Sequence, residues 1–342
     1  MKRLLFSPLR LGVFSLAALF LASSCQEEKK EVLPTYQAGV LIANAGSQSG
    51  TISFYDRATG TVEPDLFAKV NGRALAGNVL TMASAFERMY LVTSNGTVEA
   101  LLANTFTATG TMDQLESPQA FAALNNRRAF ISDWLNPADS GRVVELDLGT
   151  FQVTDTVKTG KTPGAMAVAG NRLFVANAAS NQVNVINTVT NTMEASLTVG
   201  DNPNSLVVDG SGNLWVLCGG SPNATRGQLI RFSASNLSTA PVMFPFPNAA
   251  VQPHGLTLSA SRNRLYFLAD GVYVLDLNAV TLPEAPLIRR RFQAMGQDPA
   301  DGLLYFSKAV PGANGWVVRY RSTGAALDSF QVQGTPTGFG FR

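Results

Sequence analysis

Three features of this 342-residue sequence predict an all-β chain, a seven-bladed β-propeller closed by pairing its C-terminal strand into the first blade. An apolar hexamer recurs seven times: GVLIAN, RMYLVT, RAFISD, RLFVAN, NLWVLC, RLYFLA and LLYFSK. The chain around each copy breaks into short strand-like runs separated by turn residues, and no sustained 3.6-residue period occurs in residues 38–342. Finally, the first repeat lacks an inner strand, while the chain ends on a strand with no blade to follow it.

Residues 1–24 precede the repeats and read as a signal peptide. Lys2, Arg3 and Arg10 form a basic start, and Leu11–Leu21 is an apolar run too short to cross a bilayer as a helix. Ala22, Ser23 and Ser24 then lead to Cys25, the arrangement of a lipobox, so Cys25 is expected to carry lipid as the mature N-terminus. The lipobox position usually held by a large aliphatic residue is here Ala22. Gln26–Glu31 is wholly polar or charged, and residues 25–37 are expected to form a flexible tether.

The repeats occupy residues 38–342. Their comparable positions are Val40, Met89, Ala129, Leu173, Leu214, Leu265 and Leu304, at intervals of 49, 40, 44, 41, 51 and 39 residues. A four-stranded propeller blade takes about 40–45 residues, and loop insertions absorb the difference. In the clearest unit Leu173–Ala176 is continuously apolar, as in a strand covered on both faces. Asn187–Asn191 is a turn, and the following strand alternates Met193, Ala195, Leu197 and Val199 with polar residues, giving one wet face. A short inner strand precedes each unit: 119–124, 164–168, 204–208 and 255–258. The strand at 336–341 supplies the inner strand that the first unit lacks, which removes two exposed sheet edges. Essentially no helix is expected.

The chemical inventory excludes much. Losing Lys2, Arg3 and Arg10 from the 26 basic residues leaves 23 against 24 acidic ones, a balance of −1. Such a chain has no electrostatic reason to bind nucleic acid. With Cys25 lipidated, Cys218 stands alone on an apolar strand and reads as a buried small hydrophobe. His254 is the sole histidine, so a His-cluster metal site is excluded; no CxxC, CxxCH or GxSxG motif occurs, and no cofactor is expected. Asp133, Asn136 and Asp139 share one loop and form a weak candidate calcium site without EF-hand spacing. Asp209–Asn213 reads as a hairpin turn.

One face of a propeller collects the loops between second and third strands and the links into each inner strand. Here those loops (44–50, 133–140, 177–182, 219–227 and 308–314) are rich in Asn, Ser and Gly. Trp134, Asn44, Asn177, Arg226 and His254 are the candidate ligand contacts: an aromatic plate with amide and cationic groups suits a small polar ligand or a protein loop.

Phe174-Val175-Ala176-Asn177, Asn181, Val183–Asn187, Thr192 and Val199-Gly200-Asp201-Asn202-Pro203 resemble one repeat of the YVTN (YncE-like) propellers. Ala129–Pro163 matches in part and the other five units loosely, so the period covers the whole domain and the sharp signature about one blade. Members are exported propellers. The acidic pair Glu27-Glu28 after Cys25 resembles the surface-export signal of Bacteroidota lipoproteins, some of which are cobalamin-binding propellers seated over TonB-dependent transporters. The resemblance therefore implies an outer-membrane, surface-exposed lipoprotein that captures a small polar nutrient, such as a corrinoid, for a transporter, while the single histidine argues against an enzyme. A cell-envelope interaction scaffold is the alternative, and a propeller lactonase or lyase is less expected.

Overall fold

The computed structural model describes residues 35–136 and 140–342. The signal peptide, Cys25 and the tether as far as Pro34 lie outside the described residues, as do Pro137, Ala138 and Asp139.

Blade 4 shows why the repeat folds as it does. Its strands run Pro163–Ala169, Arg172–Asn177, Gln182–Asn187 and Thr192–Thr198, from inner to outer. Successive side chains of a strand point to opposite faces, so a strand standing between two other blades must be apolar at every position. Leu173 and Val175 accordingly pack with Phe130 and Val143 of blade 3, while Phe174 and Ala176 pack with Leu214 and Val216 of blade 5. The outer strand has no fully buried residue. The turn at 187–191 is held by Asn187, whose Oδ1 accepts from the Val189 and Thr190 amides at 2.9 and 3.2 Å.

The other blades repeat this order. Blade 2 is Val79–Ala85, Arg88–Thr93, Val98–Leu102 and Ala108–Met112; blade 3 is Pro118–Ala123, Arg128–Asn136, Ser140–Asp147 and Gln152–Lys158. Blade 5 is Pro203–Val208, Asn213–Cys218, Gln228–Ser233 and Val242–Pro245; blade 7 is Met295–Gln297, Leu304–Val310, Ala313–Tyr320 and Ala326–Gln331. The buried apolar residues form seven clusters, and each joins two adjacent blades, the sixth spanning blades 7 and 1. The core is thus a ring of wedges between blades. A fully buried aliphatic or aromatic side chain contributes roughly 1.5–3 kcal/mol.

Blade 1 closes the ring. The strand Thr335–Phe341 pairs antiparallel with Gly39–Ala45, followed outward by Thr51–Asp56 and Val62–Glu63. Phe339 and Phe341 lie 6.2 and 5.5 Å from the buried ring of Tyr305 in blade 7. Arg57 fastens the end, donating from Nη1 to the Arg342 carbonyl and from Nε to Asp298 Oδ2, both at 2.6 Å.

Three features depart from the sequence reading. A six-residue helix, Leu66–Asn71, follows the short outer strand of blade 1. Asp65 Oδ1 accepts from the Ala68 amide and Gly72 ends the helix in the left-handed conformation (φ 66°), while Leu66 and Phe67 are buried between blades 1 and 2. Blade 6 has three strands, not four: His254–Leu258, Arg264–Leu268 and Val272–Asp276. Residues 277–294 lie where a fourth strand was expected, joined to the sheet by one β-bridge, Val272 to Ile288, and packed on the blade through Ile288 and Phe292. Lastly, packing begins earlier than residue 38: Tyr36 is buried edge-on against Phe54 at 5.1 Å.

Candidate functional site

The loop face is built on a repeated junction. At the end of the second strand, Asn44, Thr93, Asp133, Asn177 and Cys218 each pair with the first residues of an inner strand, just where the register shifts. All five are buried. A register shift frees backbone groups, and buried polar groups must be bonded. In blade 3 Asp133 Oδ1 accepts from the Ser117 amide at 2.7 Å. In blade 4 Asn177 Nδ2 donates to Asn184 Oδ1 at 2.8 Å, which also accepts from the Gly160 amide. In blade 1 Asn44 Nδ2 donates to Ser53 Oγ at 2.9 Å. Asn44 and Asn177, read from the sequence as ligand contacts, are therefore buried inside the blades, bonded there through Nδ2 while their Oδ1 atoms have no partner. Cys218 is likewise buried, and burial pushes its thiol up to about 12.

Asp133 is already engaged as well. Its Oδ2 takes Arg142 at 2.8–2.9 Å, so the carboxylate proposed for a metal sits in a buried ion pair. The side chain of Asn136 and all of Asp139 lie outside the described residues. Trp134 is half-buried and donates from Nε1 to the Pro163 carbonyl at 2.8 Å, which ties blade 3 to blade 4. Arg226 is exposed on the blade 5 loop, whose shape is set by Thr225 Oγ1 donating to Asp201 at 2.7 Å. The five candidates stand in five different blades, and the structure gathers them into no common cavity among the described residues.

His254 does open onto one. A cleft of about 580 Å³ lies on the loop face at blades 5 and 6. Asn223 from the blade 5 loop and the segment 248–252 form one wall; Asp270 from the blade 6 hairpin and Arg291 with Phe292 form the other. The walls are held locally. Pro253 fixes the start of the inner strand by packing where a side chain on Gly227 would lie, 2.5 Å from a Cβ there. The Asn223 amide donates to the Ala249 carbonyl at 3.3 Å, and Asn248 Oδ1 accepts from the Ala250 amide at 2.9 Å. His254 Nδ1 stands 3.3 Å from the Gln252 carbonyl.

A second hollow of about 560 Å³ shares Asn248, Val251 and Asp270 with this cleft and extends it outward to Tyr273, Pro283 and Glu284. Tyr273 donates to Asp270 Oδ1 at 2.8 Å. Burial, then that carboxylate, push its phenol up to about 12. The sequence reading missed Arg291, which belongs to the segment that takes the place of the fourth strand of blade 6. Its signal was the run Arg289-Arg290-Arg291, the only three consecutive basic residues in the sequence. Hollows of similar size on the opposite face are junctions between hairpins. In the one at Arg172, about 540 Å³, the guanidinium is spent on Glu194 and on the carbonyls of Ala234 and Ser235.

Comparisons with known proteins fit this architecture. A family model described as "Domain of unknown function (DUF5074)" matches residues 38–285. No curated protein matches the chain. Among solved structures, a quinonprotein alcohol dehydrogenase-like protein from Bacteroides thetaiotaomicron is similar at 15% identity and a TM-score of 0.71, over 89% of this chain and 78% of its own. Hydrazine synthase from Kuenenia stuttgartiensis is similar at 12% identity and a TM-score of 0.65, over 87% of this chain and 98% of its own. A functionally unknown protein from Desulfotomaculum acetoxidans follows at 10% identity and a TM-score of 0.66, over 89% and 98%. At these identities the likeness is one of fold.

Proposed function

The chain belongs to the DUF5074 family, and from that premise we propose that it is a binding propeller of the bacterial cell envelope, which captures a small polar ligand in the blade 5–6 cleft. The observation that carries this reading is the cleft itself: about 580 Å³, on the loop face, with convergent polar side chains over a rigid ring. Binding suits its chemistry better than catalysis. The sole histidine meets no acid among its hydrogen-bond partners, and the one thiol of the propeller is buried and held protonated.

The lipobox-like run before Cys25 supports lipid anchoring, and the resemblance to YVTN propellers supports the outer membrane and service to a TonB-dependent transporter. Among the described residues no helix is long and apolar enough to cross a membrane. Tyr36 enters the propeller beside Asn104, on the hairpin face, at 2.7 Å between amide and carbonyl.

Calorimetric titration of the protein against a panel of small polar metabolites, a corrinoid first, tests the reading. Saturable binding that is lost in Ala250→Trp, which fills the cleft from an exposed position, is the expected result. Binding indifferent to Ala250→Trp and to His254→Ala moves the site elsewhere. Absence of any small-molecule binding, with an envelope protein co-purifying, replaces capture by a scaffold role.

A further inference from the structure

We infer that the blade 5–6 cleft selects an organic anion, a carboxylate or phosphate borne on a small apolar body, with Arg291 as its charge partner; this deepens the capture reading and rests on it. Seven of the seventeen arginines among the described residues, Arg57, Arg73, Arg128, Arg142, Arg172, Arg264 and Arg319, are paired with a carboxylate. Arg289, Arg290 and Arg291 are exposed, adjacent, and form no ion pair among the described residues. Three like charges side by side repel one another, and Arg291, the one of the three that lines the cleft, is placed to be neutralised by an incoming anion.

The cleft wall is rich in donors. Arg291 lines it directly, with a planar fork matched to carboxylate and phosphate oxygens. Asn248 has its carbonyl oxygen committed to the Ala250 amide, which leaves its NH₂ to donate. His254 adds a ring nitrogen. The single carboxylate in the wall, Asp270, has one oxygen occupied by the Tyr273 hydroxyl. Val251 and Phe292 supply the apolar surface for the body of the ligand.

The test uses the full-length protein and four probes: phenyl phosphate, benzoate, inorganic phosphate, and benzyl alcohol as the neutral counterpart. Phenyl phosphate or benzoate is expected to bind at least about tenfold more tightly than benzyl alcohol, a difference of ~1.4 kcal/mol. Arg291→Gln should abolish that preference, Arg127→Gln on the hairpin face should retain it, and added salt should weaken it. Inorganic phosphate binding more weakly than phenyl phosphate shows that the apolar body counts; equal affinities overturn that part. Equal affinity for the anions and benzyl alcohol, or a preference that survives Arg291→Gln, overturns the inference. If benzyl alcohol then binds and Ala250→Trp blocks it, the capture reading stands alone. If none of the four binds, the anion inference falls; the metabolite panel then decides separately whether the cleft binds anything.

Discussion

At Asp209 one buried carboxylate holds a turn and a core tryptophan together. Its oxygens accept from the amides of Ser211 and Asn213 at 2.9 Å and from Trp215 Nε1 at 2.8 Å. Burial works against the charge, and these bonds outweigh it, so the carboxyl is held below its ordinary range. A depressed carboxyl stabilises the fold above the pKa of the unfolded chain, and that contribution is lost as pH falls through the lower, folded value. Thermal stability is therefore expected to drop on acidification below about pH 4. Asp209→Asn should lower stability at neutral pH by about 1–2 kcal/mol and flatten the acid limb. Melting curves recorded from pH 3 to 7 check both effects; an unchanged acid limb shows that other carboxylates dominate it.

The inner strand of blade 1 is the element on which the ring depends. It supplies six register pairs to Gly39–Ala45 and places Phe339 and Phe341 against blade 7. Phe341→Ala, at a half-buried position, is expected to cost about 2 kcal/mol, roughly half the figure for a fully buried phenylalanine. Deleting residues 335–342 should do far more, exposing the edge of blade 1 and removing the Arg57 contact to Arg342. A deletion variant that melts at the parental temperature refutes closure by this strand. Closure was legible in the sequence because strand counting is local: a missing first strand and a surplus last one need no three-dimensional information. The helix Leu66–Asn71 was not, since six residues span under two turns and show no periodicity; its caps, Asp65 and Gly72, were the only local sign. The site was legible in part. His254 stands at the start of an inner strand, a position the repeats identify, whereas Arg291 comes from a segment that breaks the repeat. Asn44 and Asn177 misled because a polar residue beside a loop reads as solvated, and only the register shift shows that it is bonded within the blade.

For the molecule as a whole, the proposed lipid anchor at Cys25 sets where the cleft would work. Cys25→Ser should move the protein from the membrane to the soluble fraction on fractionation; a substituted protein that stays with the membrane shows that something else holds it there. The ring itself also sets a schedule. A chain made from its N-terminus delivers Gly39–Ala45 among its first strands and Thr335–Phe341 last, so blade 1 waits for its partner until nearly the whole domain has been synthesised. Blades 2 to 5 draw their strands from consecutive stretches and can settle as they emerge, but the circle of seven cores cannot shut before the last strand arrives. If residues 1–24 direct export as proposed, that delay keeps the finished shape out of reach until the tail has followed the head across.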